Sequence, residues 1–236
     1  MDHRSTPLAI GTAGSTTATV FGVLAGLGGI THGVGEVLQG SVPTGFWIAS
    51  WTSGPIAERM GGEPGFTVLP TALAAGVATL AFSTAVVAWS AAGARRRHGG
   101  LVLVLLSTGM LLAGGGVGPP LIGILGGAAG VAAAGRAPRW LRRLPPRARR
   151  LLARSWPPLF AIAAANAAFL VVGSVVLVYG VGLDAPGLFL GSFYFSVLSL
   201  LALIVAGAAR DAERIALVEN GHRASSRRRS SVPGEA

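Results

Sequence analysis

Long uncharged stretches alternate with short arginine tracts along this chain, and that alternation limits the folds open to it more than any other feature. No charged side chain occurs between Arg4 and Glu36, between Glu63 and Arg95, or between Arg97 and Arg136, and only Asp184 lies between Arg154 and Arg210. Hydrophobic residues make up 51% of the 236 positions and charged residues 12%, with a mean hydropathy of +0.62. Such a balance lies outside the range of ordinary soluble domains and is that of a chain whose solvent is lipid.

A hydrocarbon core about 30 Å thick needs some 20 apolar residues per helical crossing. On that measure the sequence predicts an all-α, polytopic membrane helix bundle with about six spans, near residues 8–35, 68–92, 100–116, 119–135, 158–181 and 188–208. The first is loosely bounded, because GTAGSTTATV is polar for a membrane helix. A signal peptide is the alternative there, although no A-x-A-like site follows at the usual distance. The third and fourth spans are separated by GGGVGPP, Gly114 to Pro120, whose glycines and prolines favour a tight reversal. Each half is near the lower length limit, so a re-entrant hairpin competes with two full crossings.

Arginine resists translocation and collects on the cytoplasmic side. With these spans, 18 of the 19 arginines fall on one side and Arg59 alone on the other. Both termini are therefore expected in the cytoplasm, in a multi-pass protein of the cytoplasmic (inner) membrane. Residues 36–67 become an exoplasmic loop, 136–157 a basic cytoplasmic loop, and 210–236 a cytoplasmic tail disordered over its last dozen residues. Trp47 and Trp51 in the outer loop, and Trp140 and Trp156 around the inner one, suit the headgroup zone. The basic loop interleaves arginine with leucine, which points to anionic lipids at the cytoplasmic face. The net charge of +10 is explained by flanking arginines and does not call for nucleic acid.

The chain has no cysteine, which excludes disulfides, thiolate metal sites and cysteine nucleophiles. His32 and Glu36, four apart in ITHGVGEVLQG, share a helix face and are the leading candidate site. Together with Glu58 and Glu63 they could supply metal ligands, against the plainer reading of an interfacial ion pair. Gly22, Gly26, Gly29 and Gly33 form a small-residue stripe on the first helix, and Gly123, Gly127, Gly130 and Ala134 repeat it on the fourth. These two helices are expected to approach each other, or a second copy in a homo-oligomer. Asn166 needs an interhelical partner within the fifth span. GGGVGPP lacks the lysine and Ser/Thr of a phosphate-binding loop. No cofactor is implied.

From ITHGVGEVLQG through GGEPGFTVLP to GGGVGPPLIGILGG, roughly residues 20–130, the chain resembles an uncharacterised family of small multi-spanning bacterial membrane proteins. The resemblance implies that His32, Glu36, Gln39, Gly40, the GGEP turn and GGGVGPP belong together, and it assigns no substrate. Three functions stay open at this point. The first is a non-enzymatic structural or interaction component, in keeping with the lack of a complete catalytic set. The others are a small ion-coupled transporter or permease, and an outer-face metal-dependent enzyme.

Overall fold

A computed structural model describes residues 12–53, 57–58, 62–135, 138–182 and 185–230. The first helix, α1, runs Ala13–Val37 and is followed by a two-stranded antiparallel hairpin, β1 (Trp47–Ser50) and β2 (Glu63–Phe66). Next come α2 (Ala72–Ala92), α3 (Gly99–Ala113), α4 (Gly118–Ala134) and a short α5 (Arg139–Arg143). The last two rods are α6 (Pro146–Ala168) and α7 (Pro186–Ser230). Beyond Ala168, α6 continues as two π-helical turns, Phe169–Gly173 and Leu177–Val181, around a single α-turn at Ser174–Val176. Arg4, Arg59, Arg136 and Asp184 lie outside the described residues.

The fold is a helix bundle in which four helices are long and apolar enough to cross a membrane: Ala13–Val37, Ala72–Ala92, Pro146–Val176 and Pro186–Val218. The helices α3 and α4 are apolar but have 15 and 17 residues, about 22 and 26 Å at 1.5 Å per residue. Between them the chain reverses over Gly114–Val117, where Gly114 and Gly116 take φ values of +126° and +74°. Pro119 and Pro120 then sit in the first turn of α4, where a missing N–H costs nothing.

The polar start of α1 has a local explanation. Thr12 caps the helix by accepting from Ser15 N at 3.1 Å, while Ser15 Oγ accepts from Thr12 N at 2.9 Å. The Thr17 and Thr19 hydroxyls donate to carbonyls one turn back. Asp211, on α7, accepts from Ala13 N at 2.7 Å and from Gly14 N at 3.1 Å. A distant carboxylate thus satisfies two of the free donors at the positive end of α1.

The glycine stripe of α1 faces mainly α2, with Leu103 and Met110 of α3 beside Gly22 and Gly29. A Cβ at Gly26 would lie 2.8 Å from Ser83 O, and one at Gly76 of α2 would lie 2.6 Å from Val37 N and 2.7 Å from Gly33 O. On α4, Gly123 and Gly127 pack against Ser107 and Val104 of α3. The helices α1 and α4 do approach each other as expected: Gly126 meets Phe21, and two members of the α4 stripe reach α1, Gly130 against Ala18 and Gly123 beside Ala25. Ala134 is exposed.

Two further stretches differ from expectation. Much of the basic loop is helical, and α6 begins at Pro146 instead of near residue 158, because Pro146 starts a run of the helix formers Arg, Leu and Ala. Pro157 and Pro158 lie inside this helix. Pro157 cannot donate to Ala153 O, and Arg210 Nη1 fills that place at 3.3 Å while its guanidinium stacks 5.2 Å over Trp156. At the other end, α7 continues to Ser230, into the stretch expected to be too polar to fold. A helix already nucleated in the bundle extends without a fresh nucleation cost.

Helices that follow one another along the chain run antiparallel, as Gly22 beside Ser90 and Gly33 beside Gly76 show for α1 and α2, and the interior divides into halves. At the end holding the α1 N-terminus, Phe21, Ile122, Trp156, Ala163, Leu200 and Leu203 form a closed core. At the opposite end, the α1–α4 group and the α6–α7 pair diverge.

Candidate functional site

At that diverging end, α1 presents His32 and Glu36 one turn apart, and both are buried. Ser50, the last residue of β1, lies between them. Its Oγ donates to Glu36 Oε1 at 3.1 Å and stands 3.2 Å from His32 Nδ1. Thr79 of α2 donates to the other Glu36 oxygen at 3.4 Å, and His32 Nε2 faces Glu63 Oε2 at 3.0 Å. Five side chains from α1, the hairpin and α2 therefore make one chain of contacts, Thr79–Glu36–Ser50–His32–Glu63.

Glycines let this cluster close. A Cβ at Gly114 would lie 2.7 Å from both Glu36 carboxylate oxygens, and one at Gly116 would collide with the His32 ring. Only a residue that tolerates positive φ and has no side chain fits at either place. The hairpin is tied to its surroundings by Gln39 Nε2, which donates to Ala49 O at 2.9 Å, and by Thr67 Oγ1, which donates to Ala113 O at 3.0 Å. Val68 N also donates to Leu112 O at 3.1 Å, so free carbonyls at the end of α3 are satisfied by the segment after β2. Trp51, next to Ser50, adopts φ +58° and packs its indole against Gly35. A bulky residue in the left-handed region is strained, and here the strain sits directly beside the cluster.

Proton counting defines what the chain can do. The Ser50 hydroxyl has one hydrogen, and when it goes to Glu36 the His32 Nδ1 must carry a proton and donate to Ser50. Nε2 then shares a second proton with Glu63. A concerted shift along the chain moves the Nδ1 proton to Ser50 Oγ and the Ser50 proton to Glu36, linking a residue at the cluster's edge to a carboxyl with no exposed surface.

The edge of the cluster opens into a cavity of about 550 Å³. Its walls come from α1 (including Gly28 and Thr31), the start of α4, the π-helical part of α6 around Ser174, and the start of α7 around Phe189. The walls are mostly apolar, and among the described residues His32 and Glu63 are the titratable groups on them. Glu63, its side chain 32% exposed, is the more open of the pair. π-Helical turns recur at functional sites in helical proteins, and here they form one wall.

The sequence candidates are thus separated by role. His32 and Glu63 meet directly, Glu36 joins them through Ser50, and Glu58 is exposed in the loop between β1 and β2. Among the described residues no group of three His, Asp or Glu side chains is placed to hold a metal ion. Asn166 finds its partners across the α6–α7 contact, donating from Nδ2 to Ser192 O at 2.9 Å and to Ser196 Oγ at 2.8 Å. Sequence reasoning missed Ser50 and Thr79. The alternation of burial along WIAS, where Ile48 and Ser50 point inward, was the available signal, but four residues are too few for it to stand out. Comparisons with family models, with curated proteins and with solved structures return no match.

Proposed function

We propose that this is a multi-pass protein of the bacterial cytoplasmic membrane that binds a small amphipathic molecule, the apolar part in the cavity and the polar head at His32 and Glu63. The observation that carries the reading is the cavity itself. Its volume lies within the 300–1,000 Å³ range usual for small-molecule sites, and its apolar walls converge on a few polar groups, as such sites do. In this reading the six helices α1, α2, α3, α4, α6 and α7 all cross, with both termini inside. The described arginines support it: Arg95–Arg97, Arg139–Arg154, Arg210 and Arg214 gather at the end of the bundle remote from the cavity. The cavity then opens at the level of the outer leaflet. Purified protein in nanodiscs is expected to carry a co-purifying lipid-like molecule, detectable by native mass spectrometry. Gly28→Leu, which wedges a side chain between Pro119 and Val171 on the cavity wall, should remove it. Identical spectra for the two proteins would refute the reading.

A second reading, an ion-coupled carrier, is favoured by one observation: the contact chain from cavity-facing Glu63 to buried Glu36. It requires that an imposed proton gradient drive uptake of the bound molecule into proteoliposomes. Uptake that ignores the gradient would remove it.

A further inference from the structure

We propose that the molecule held in the cavity carries a cationic nitrogen head, seated on the exposed side of Glu63, behind a single apolar tail. This rests on the cavity being a ligand site and goes on to give the ligand its charge.

Charge around the polar end argues for a cation. The cluster holds two carboxyl groups, Glu36 and Glu63, against one imidazole, and among the described residues no Arg lines the cavity. Fully ionised, it carries a net negative charge in an apolar wall, where a charge is expensive without a partner. Glu63 already shares one oxygen with His32, yet nearly a third of its side chain remains open toward the cavity.

The natural counter-argument is that two helices, α4 and α7, begin at the cavity, and helix N-termini favour anions through their free N–H groups. Here proline has removed those donors. Pro119 and Pro120 occupy the first turn of α4, and Pro186 begins α7. The amides of Leu188 and Phe189 are already bonded to Ala185 O. What remains of an anion site is a weak dipole with few hydrogens to offer. The stronger electrostatic feature is the open carboxylate.

The cavity wall also suits an apolar tail more than a second polar group. From Glu63 it runs along Gly28, Ile122 and Phe193, between the α1–α4 group and the α6–α7 pair. A head held at Glu63 would leave the tail in that slot, level with lipid.

The test compares three probes of one chain length in nanodiscs at submicellar concentration: decyltrimethylammonium, decanol and decyl sulfate. Affinity is read by isothermal titration, with empty discs subtracted. The ammonium should bind about tenfold tighter than decanol, as expected for one partly buried charge pair, and the sulfate more weakly than either. Glu63→Gln should abolish the ammonium's advantage and leave decanol unchanged. Should that variant fold poorly, Val175→Lys supplies an independent check, because it adds a positive charge to the α6 wall of the cavity, at the α-turn between the π-helical turns, without touching the cluster. It should weaken the ammonium and spare decanol. Equal binding of the three probes, or preference for the sulfate, would overturn the cationic head while the cavity reading stands. Binding of no probe above the Gly28→Leu control would overturn the cavity reading itself.

Discussion

Replacing Ser50 with alanine removes one oxygen from the centre of the cluster and changes little else, since a strand accommodates either residue. Two buried groups lose a partner: Glu36 Oε1, at 3.1 Å, and His32 Nδ1, at 3.2 Å. Leaving a buried polar group unpaired costs about 1–3 kcal/mol, so the variant should be destabilised by roughly 2–5 kcal/mol. Thr79→Val removes only the 3.4 Å contact to Glu36 and should cost about 1 kcal/mol. Steric-trap or denaturant unfolding in bicelles would measure both. The double variant with Glu36→Gln supplies the sharper test. If Ser50 acts through Glu36, the two substitutions should be non-additive by about 1–2 kcal/mol. Wild-type stability in Ser50→Ala, or strict additivity with Glu36→Gln, would refute the linked cluster.

Three other outcomes follow from the packing. Asp211→Ala strips two buried amides of their acceptor and should cost about 2–4 kcal/mol; Asp211→Asn should fall between it and wild type in the same unfolding assay. Gly114→Ala combines a strained φ of +126° with a Cβ pressed on Glu36, and should cost about 3 kcal/mol or more. Gly40→Ala, with φ +71° but open space around it, should cost only about 1 kcal/mol when the melting temperatures of the two are compared. Gly76→Leu should force α1 and α2 apart and lower the yield of folded protein on size-exclusion chromatography, whereas Gly187→Leu, which meets nothing within 4 Å, should not.

The helices were legible because hydropathy is a local property, and so was the reversal at GGGVGPP, where glycine and proline act on their own backbone. Partner choice was less so. The stripe Gly22, Gly26, Gly29 and Gly33 announces a close neighbour but does not say which: it faces mainly α2, while α4 approaches α1 at Ala18, Phe21 and Ala25. The pairing of His32 with Glu63, and of Ser50 with both His32 and Glu36, depends on a hairpin whose four-residue strands carry almost no periodic signal. Asp211 was equally hidden: it lies 198 residues from the Ala13 amide, and an acid in the charged run RDAER after an apolar span looks like the start of a tail.

The position of α1 explains why the site lies where it does. Its apolar 18-residue stretch has the lowest mean hydropathy among those of the four long apolar helices, 1.3 against 1.8, 2.3 and 2.3, and the largest buried share, 56% against 33%, 11% and 28%. In water that ordering would be perverse. In lipid it is expected, because the most apolar helices lose nothing by facing acyl chains, whereas hydroxyls, glycines and carboxyls are stable only where other helices supply contacts. A central helix rich in small residues draws α2 and α4 against two of its faces through glycine. Where α6 and α7 diverge from it, a third face borders the cavity, and that face carries Gly28, Thr31 and His32. The composition that places α1 at the centre therefore also leaves its polar end beside the cavity, so that filling Gly28 and disconnecting Ser50 should perturb one site from opposite sides.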